Sequence, residues 1–466
     1  MTDQRQLPSR EEGTLALPQR ALTIGVCMNV VAIAFESIAV ATAMPVAARE
    51  LGGLNYYAWA FSLFMIGMLF ATVVTGRVSD RIGPSRPLIA GMVVFTIGLV
   101  LAGTATTMAQ LVAGRLVQGL GAGVLNTGTF VLVALAYTPR QRPRMFTYIS
   151  TAWVLPAFVG PPVSAWLTSR LSWHWVFFAV LPLVVLGAVM VLPTLRALMR
   201  IPMPGPASEA SGVRPAPLWA AAVVAGAAAV LQVAGQRIDL LGLALLALGL
   251  GGLLLGLPRL MPPGFLRLRR GLSSVIPVRG LLPGAFFGGE AFVPLMLVEQ
   301  RQVPLVLACA ALTVGAVGWT TGSFLQSQSW FRLRRDRLIT LGCGCVALGL
   351  ALTGLIALVP AWPYQLVALA WIFSGLGMGF ATASTSLAVM TLSPVEVQGR
   401  NGSSLNLFDA LGSSVFVGVA GAFFAFLHPS GNLPLTFGVV LLAMAVVAVL
   451  AALASLRIGV VRDELG

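Results

Sequence analysis

The chain has 466 residues, of which 58% are hydrophobic and only 9% charged. A soluble domain carries roughly a quarter charged residues to wet its surface, so a chain this long and this poor in charge is dissolved in lipid. Its net charge of +14 does not point to nucleic acid, because every basic residue is Arg and the Arg residues fall in short clusters between apolar runs, not along one stripe.

Residues 1–20 are polar, mixed in charge and without a signal-peptide pattern, so they read as a cytoplasmic tail before an uncleaved first span. A membrane helix needs about 20 apolar residues. Runs of that length lie near 22–45, 57–76, 87–105, 108–136, 146–168 and 174–195. A Pro/Gly/Ser-rich stretch follows, then runs at 217–235 and 238–258 and a basic linker. Six more lie near 280–299, 303–326, 338–360, 363–392, 402–427 and 433–456. The expectation is an all-α polytopic membrane protein with about fourteen transmembrane helices.

Arginine placement supports an even count. Cytoplasmic loops are enriched in Arg, and with the N-terminus inside the even-numbered joints hold Arg77/Arg81/Arg86, Arg140/Arg142/Arg144, Arg196/Arg200/Arg214, the group from Arg259 to Arg279, Arg332/Arg334/Arg335/Arg337 and Arg400. The opposite side has only Arg49, Arg170, Arg237 and Arg301. Both termini are therefore expected in the cytoplasm. The four cysteines (Cys27, Cys309, Cys343 and Cys345) sit inside apolar runs and read as small buried hydrophobes, with no disulfide framework and no metal-ligand spacing.

An internal repeat organises the spans. Arg115-Leu-Val-Gln-Gly119-Leu-Gly-Ala-Gly123 in span 4 matches Trp371-Ile-Phe-Ser-Gly375-Leu-Gly-Met-Gly379 in span 12; Ala34-Phe35-Glu36 matches Gly288-Gly289-Glu290; Gly76 pairs with Gly322. Each match is displaced by eight spans, which implies six spans, two inserted ones and six repeated ones. Parallel repeats related about the membrane normal are a transporter plan. The boundaries expected are a tail at 1–20, a six-helix bundle at 21–196, a linker with two extra helices at 197–278, a second bundle at 279–458 and a cytoplasmic tail at 459–466.

Ionisable residues inside spans are functional by default, because hydrocarbon gives them no water. The acids are Glu36, Glu290 and Asp409, and Arg115 reads as the one Arg inside a span. At ~1.5 Å per residue, Glu36 and Arg115 lie at similar depth, so a Glu36–Arg115 pair is expected if spans 1 and 4 are neighbours. A carboxylate balanced between burial and a nearby Arg can load and release protons. Glu290, with Trp371 where Arg115 would repeat, is the freer acid.

Several segments resemble the major facilitator superfamily. Gly76-Arg-Val-Ser-Asp80-Arg81-Ile-Gly83-Pro-Ser-Arg86 resembles its signature loop between helices 2 and 3, and Arg115-Leu-Val-Gln-Gly its helix-4 motif, whose Arg is associated with proton transfer. Phe35-Glu36-Ser-Ile-Ala-Val-Ala-Thr-Ala-Met-Pro45 is similar to the helix-1 motif of the fourteen-span drug:proton antiporter branch, with Glu in place of the usual Asp; Asp409 lies in span 13, where that branch often carries an acid. Gly160-Pro161 fits the antiporter motif of span 5, with Pro156 and Ser164 replacing glycines, and points to helix bending. Trp173-His174-Trp175 reads as an aromatic belt.

The resemblance implies two six-helix bundles rocking about a central cavity. It implies a gating latch at Gly76, Asp80, Arg81, Gly83 and Arg86, and proton coupling through Glu36, Arg115, Glu290 and Asp409. The function expected is proton-coupled efflux of hydrophobic or cationic drugs across the cell (inner) membrane by a monomer, without cofactor, metal or enzymatic activity. The alternative is uptake or export of a dedicated metabolite on the same fold.

Overall fold

The structure, a computed structural model, describes residues 17–137, 141–199, 217–235, 237, 239–261, 265, 270–326, 328, 333–393 and 398–461. Its helices are α1 (Leu17–Glu50), α2 (Trp59–Ile82), α3 (Ser85–Gly103), α4 (Met108–Ala136), α5 (Arg142–Arg170), α6 (His174–Phe178), α7 (Leu181–Met199), α8 (Leu218–Ala234), α9 (Leu240–Leu260), α10 (Leu272–Glu290), α11 (Val293–Glu299), α12 (Leu305–Leu325), α13 (Arg335–Leu358), α14 (Gln365–Thr391), α15 (Gln398–Leu427) and α16 (Leu433–Ser455). Helices are what lipid demands, since each segment satisfies its own backbone polar groups. Their ends carry the usual signals: Thr107 accepts from the Gln110 amide at 3.2 Å before α4, and Asn432 from the Leu435 amide at 3.1 Å before α16.

Among the described residues, twelve spans are long and apolar enough to cross a membrane. Two further helices occupy the places of the fifth and seventh expected spans without joining those twelve: α5, which has three internal prolines, and α8, which is apolar but 17 residues long. The sixth span is two helices, α6 and α7, and the ninth is α10 and α11 with a turn between.

The helix pairings occur twice. α1 packs on α5 and α7, α2 on α4, and α3 on α4 and α7; correspondingly α10 packs on α15 and α16, α12 on α14, and α13 on α14 and α16. Between the two sets, α2 meets α15 and α5 meets α12, again as equivalents. Small residues make the crossings close. A Cβ on Gly119 would strike the Phe64 carbonyl, and one on Gly375 would strike the Gly315 carbonyl, so the two halves repeat at atomic level. That register corrects one expected match: Gly322 abuts the Leu376 carbonyl and Gly379 of α14, whereas nothing lies within 4 Å of a Cβ placed on Gly76.

The inserted pair is fastened to α15. Ser404 donates to the Leu260 carbonyl at 2.9 Å, and Phe265 stands edge-on to Phe408 at 5.0 Å. α8 also touches α2, and α9 packs on α8 while leaving Leu240, Leu243, Leu248 and Leu254 exposed as a lipid-facing surface would.

Candidate functional site

The first half brings Glu36 and Arg115 together. Both are almost fully buried, at 0% and 2% exposure, and they form an ion pair between α1 and α4. Three further groups hold the guanidinium. Its Nε donates to the Ala60 carbonyl at 2.9 Å, Nη1 donates to Gln118 Oε1 at 3.1 Å, and its carbon lies 4.3 Å from the centroid of the Phe64 ring. An Arg in hydrocarbon needs this kind of enclosure. Glu36 Oε2 and Gln118 Nε2 remain buried without hydrogen-bond partners, so the cluster is charge-balanced but not fully saturated. Gly160 faces Phe35 and Ile38, flanking Glu36 from α5, and Ser164 donates to the Ala39 carbonyl at 2.7 Å. A small residue and a hydroxyl therefore seat α5 against the acid-bearing stretch of α1, and Gly160-Pro161 stay within one continuous helix.

The second half is built differently at the equivalent place. Trp371 occupies the position of Arg115 and is fully buried. Phe286 stacks on it with centroids 5.3 Å apart, and Trp319 stands edge-on to Phe286 at 5.6 Å. Gly315 makes room for it: a Cβ there would sit 2.6 Å from the indole nitrogen. Glu290, the last residue of α10, is half-buried and makes no hydrogen bond or ion pair among the described residues.

Arg115 is not the one Arg inside a span. Arg279 belongs to α10, which begins at Leu272, and not to the basic linker. It donates from Nε to Asp409 Oδ2 at 2.9 Å and from Nη1 to the Thr382 carbonyl at 2.6 Å and Thr385 Oγ1 at 3.0 Å. Asp409 is therefore a paired acid, and Arg279 is the residue that joins α10, α14 and α15. The apolar run Val275-Ile276-Pro277-Val278 before Arg279 was the available signal, because it extends the span past the Arg.

At the gating loop, the side chains of Asp80 and Arg81 lie outside the described residues. Gly83 ends α2 with φ +78°, a conformation that favours glycine, and its amide reaches the Ser79 carbonyl at 2.9 Å. Arg86, in the first turn of α3, is exposed. The structure separates the two indoles of Trp173-His174-Trp175. Trp175 is 50% exposed, but Trp173 is fully buried and donates from Nε1 to Glu50 at 2.8 Å, so it braces the end of α1 and is no belt residue.

Sequence reasoning also missed contacts between the halves where α1 ends and α2 begins. Arg49 pairs with Glu299, and the Tyr57 hydroxyl donates to the Ala291 carbonyl at 2.6 Å.

A twice-repeated helix bundle with charged residues enclosed in its interior is the scaffold of a membrane transporter. The chain matches the Major Facilitator Superfamily over residues 25–416 and belongs to it. It is 31% identical to Multidrug resistance protein 3 of Bacillus subtilis (strain 168) over 162 residues, 35% of this chain and 32% of that protein. It is 26% identical to the multidrug efflux pump SdrM of Staphylococcus aureus (strain N315) over 161 residues, 34% of this chain and 36% of that protein. The matched stretches thus span about a third of these relatives' length. Among solved structures, a POT family transporter in complex with 5-aminolevulinic acid superposes with a TM-score of 0.68 at 14% identity, covering 94% of this chain and 96% of that one. The family match and the membrane-length helices make the chain a multi-pass membrane protein of this superfamily.

Proposed function

We propose that this protein is a proton-coupled antiporter of the fourteen-span drug-export branch, expelling hydrophobic or cationic compounds by alternating access across the cell membrane, with both termini cytoplasmic. In this reading α5 and α8 complete the fourteen spans, and residues 21–196 and 279–458 form the two rocking bundles. The glycine-rich turn after α2, with Asp80, Arg81 and Arg86, latches the cytoplasmic side.

The contrast between the two repeat-equivalent acids carries the reading. Glu36 is locked to Arg115, whereas Glu290 has no partner among the described residues and stays partly accessible at a helix end. An unpaired carboxylate in hydrocarbon is neutral when it can be, and it ionises when the environment becomes wet or a cation arrives. Glu290 is then the group that exchanges a proton for substrate, Glu36–Arg115 is the fixed charge pair of the cavity wall, and Asp409 is coupled through Arg279. The multidrug names of the sequence relatives favour drugs over one dedicated metabolite.

The test is substrate flux in proteoliposomes under an imposed pH gradient, with a panel of dyes and antibiotics. Glu290→Gln is expected to abolish gradient-driven accumulation and to retain counterflow. Unchanged accumulation in Glu290→Gln sinks the mechanism, and counterflow of one metabolite with none of the dyes selects the dedicated carrier instead.

A further inference from the structure

The ninth span is interrupted directly after its acid. α10 ends at Glu290, Ala291 and Phe292 make a turn, and α11 starts at Val293 with Pro294 in its first turn. Pro294 favours the break, having no N–H to offer the Glu290 carbonyl four residues back. The turn satisfies its own amides, Ala291 reaching the Phe287 carbonyl at 3.1 Å and Phe292 the Gly289 carbonyl at 3.0 Å. Carbonyls at a helix end away from water need a donor from elsewhere. The donor at Ala291 is Tyr57, which belongs to the other half of the repeat.

Tyr57 is fully buried. Its ring lies 5.4 Å from Phe61 on its own side and 5.4 Å from Phe292 within the turn, and its hydroxyl bonds the Ala291 carbonyl at 2.6 Å. The Arg49–Glu299 pair and the contact of Ala58 with Gly421 close the same face. α1, by contrast, runs unbroken through Glu36 to Glu50, so no turn follows the equivalent acid.

We propose that Tyr57 is a positioning residue for Glu290: from the opposite half, its hydroxyl holds the turn that ends α10, so the acid's place is fixed only while the halves are closed at this face. When they part, the carbonyl loses its donor, and the end of α10 with Glu290 is released. Proton exchange at Glu290 is thereby tied to the conformational state of the transporter. This rests on the reading of Glu290 as the exchanging acid.

Tyr57→Phe removes the hydroxyl and leaves the ring between Phe61 and Phe292, so the fold is preserved. Accumulation under a pH gradient and counterflow at symmetrical pH are measured for wild type, Tyr57→Phe, Glu290→Gln and the double variant. Tyr57→Phe is expected to lower gradient-driven accumulation about tenfold, the worth of one buried hydrogen bond, with counterflow within about twofold of wild type. The double variant is expected to match Glu290→Gln alone. A Tyr57→Phe protein that loses both modes in parallel, or that overlies wild type while Glu290→Gln loses accumulation, overturns this inference alone. Unchanged accumulation in Glu290→Gln overturns the functional reading and this inference with it.

Discussion

The two halves share their helix pairings and their close glycine crossings, yet they treat the same acid in opposite ways. In the first half Glu36 pairs with a buried Arg that a ring and a backbone carbonyl hold in turn. In the second, an indole fills the Arg position, a glycine opens space for it, and Glu290 is left at a helix end. Duplication preserves what packing requires and releases what it does not. The glycines are held by sterics in both copies, while the charge pair is present in one copy and aromatic packing stands in its place in the other. In the proposed antiport this asymmetry assigns the acids different work, Glu36 as a fixed counter-charge and Glu290 as the group that changes state.

The sharpest way to break the comparison is to remove one acid at a time and measure thermal unfolding in detergent. Glu36→Gln leaves Arg115 buried without a counter-charge, and losing one member of a buried pair costs about 3–5 kcal/mol. Glu290→Gln removes no partner and is expected to leave the melting temperature unchanged or slightly raised. Equal effects of the two substitutions would erase the distinction between a locked and a free acid.

Asp409 offers an intermediate case. Its pair with Arg279 is partly accessible, with side-chain exposures of 26% and 11%, and Arg279 keeps the Thr382 carbonyl and Thr385 when the carboxylate is lost. Asp409→Asn is therefore expected to destabilise by about 1–3 kcal/mol, clearly less than Glu36→Gln. A loss as large as that of Glu36→Gln would mean that Asp409, and not Thr382 and Thr385, holds Arg279 in place.

How much of this could be read from the chain follows from the range over which each signal acts. Spans are legible because 20 consecutive apolar residues are a local property, and the Glu36–Arg115 contact because depth along a helix is simple arithmetic once spans 1 and 4 are neighbours. Arg279 was hidden by a boundary: a span started at 280 places it outside the membrane, although Val275 to Val278 already belong to the helix. The break after Glu290 was not legible, because Pro294 does not by itself mark one when Pro156, Pro161 and Pro162 sit inside the continuous α5. Trp173 could not be placed, because an aromatic at a helix end fits a belt or a brace equally well until Glu50 is brought opposite it.

The mildest member of the series lies in water. Asp239 caps α9, accepting from the Gly242 amide at 2.8 Å and from Arg237 at 2.7 Å. The Arg237 guanidinium, with the Gly242 amide, holds its carboxyl down at about 2. Because the folded value lies below the ordinary Asp value of about 3.9, the stabilisation is complete above about pH 4 and is lost as the pH falls toward 2. Both partners are exposed, so the effect is screened and small. Asp239→Asn keeps an acceptor for the Gly242 amide and removes only the charge. Its unfolding curve is expected to fall slightly below wild type at neutral pH and to converge with it near pH 2. Coincident curves at neutral pH as well would show that the cap, and not the charge, is what Asp239 contributes, and would detach it from the gradation in which an acid's worth falls as its surroundings become wetter.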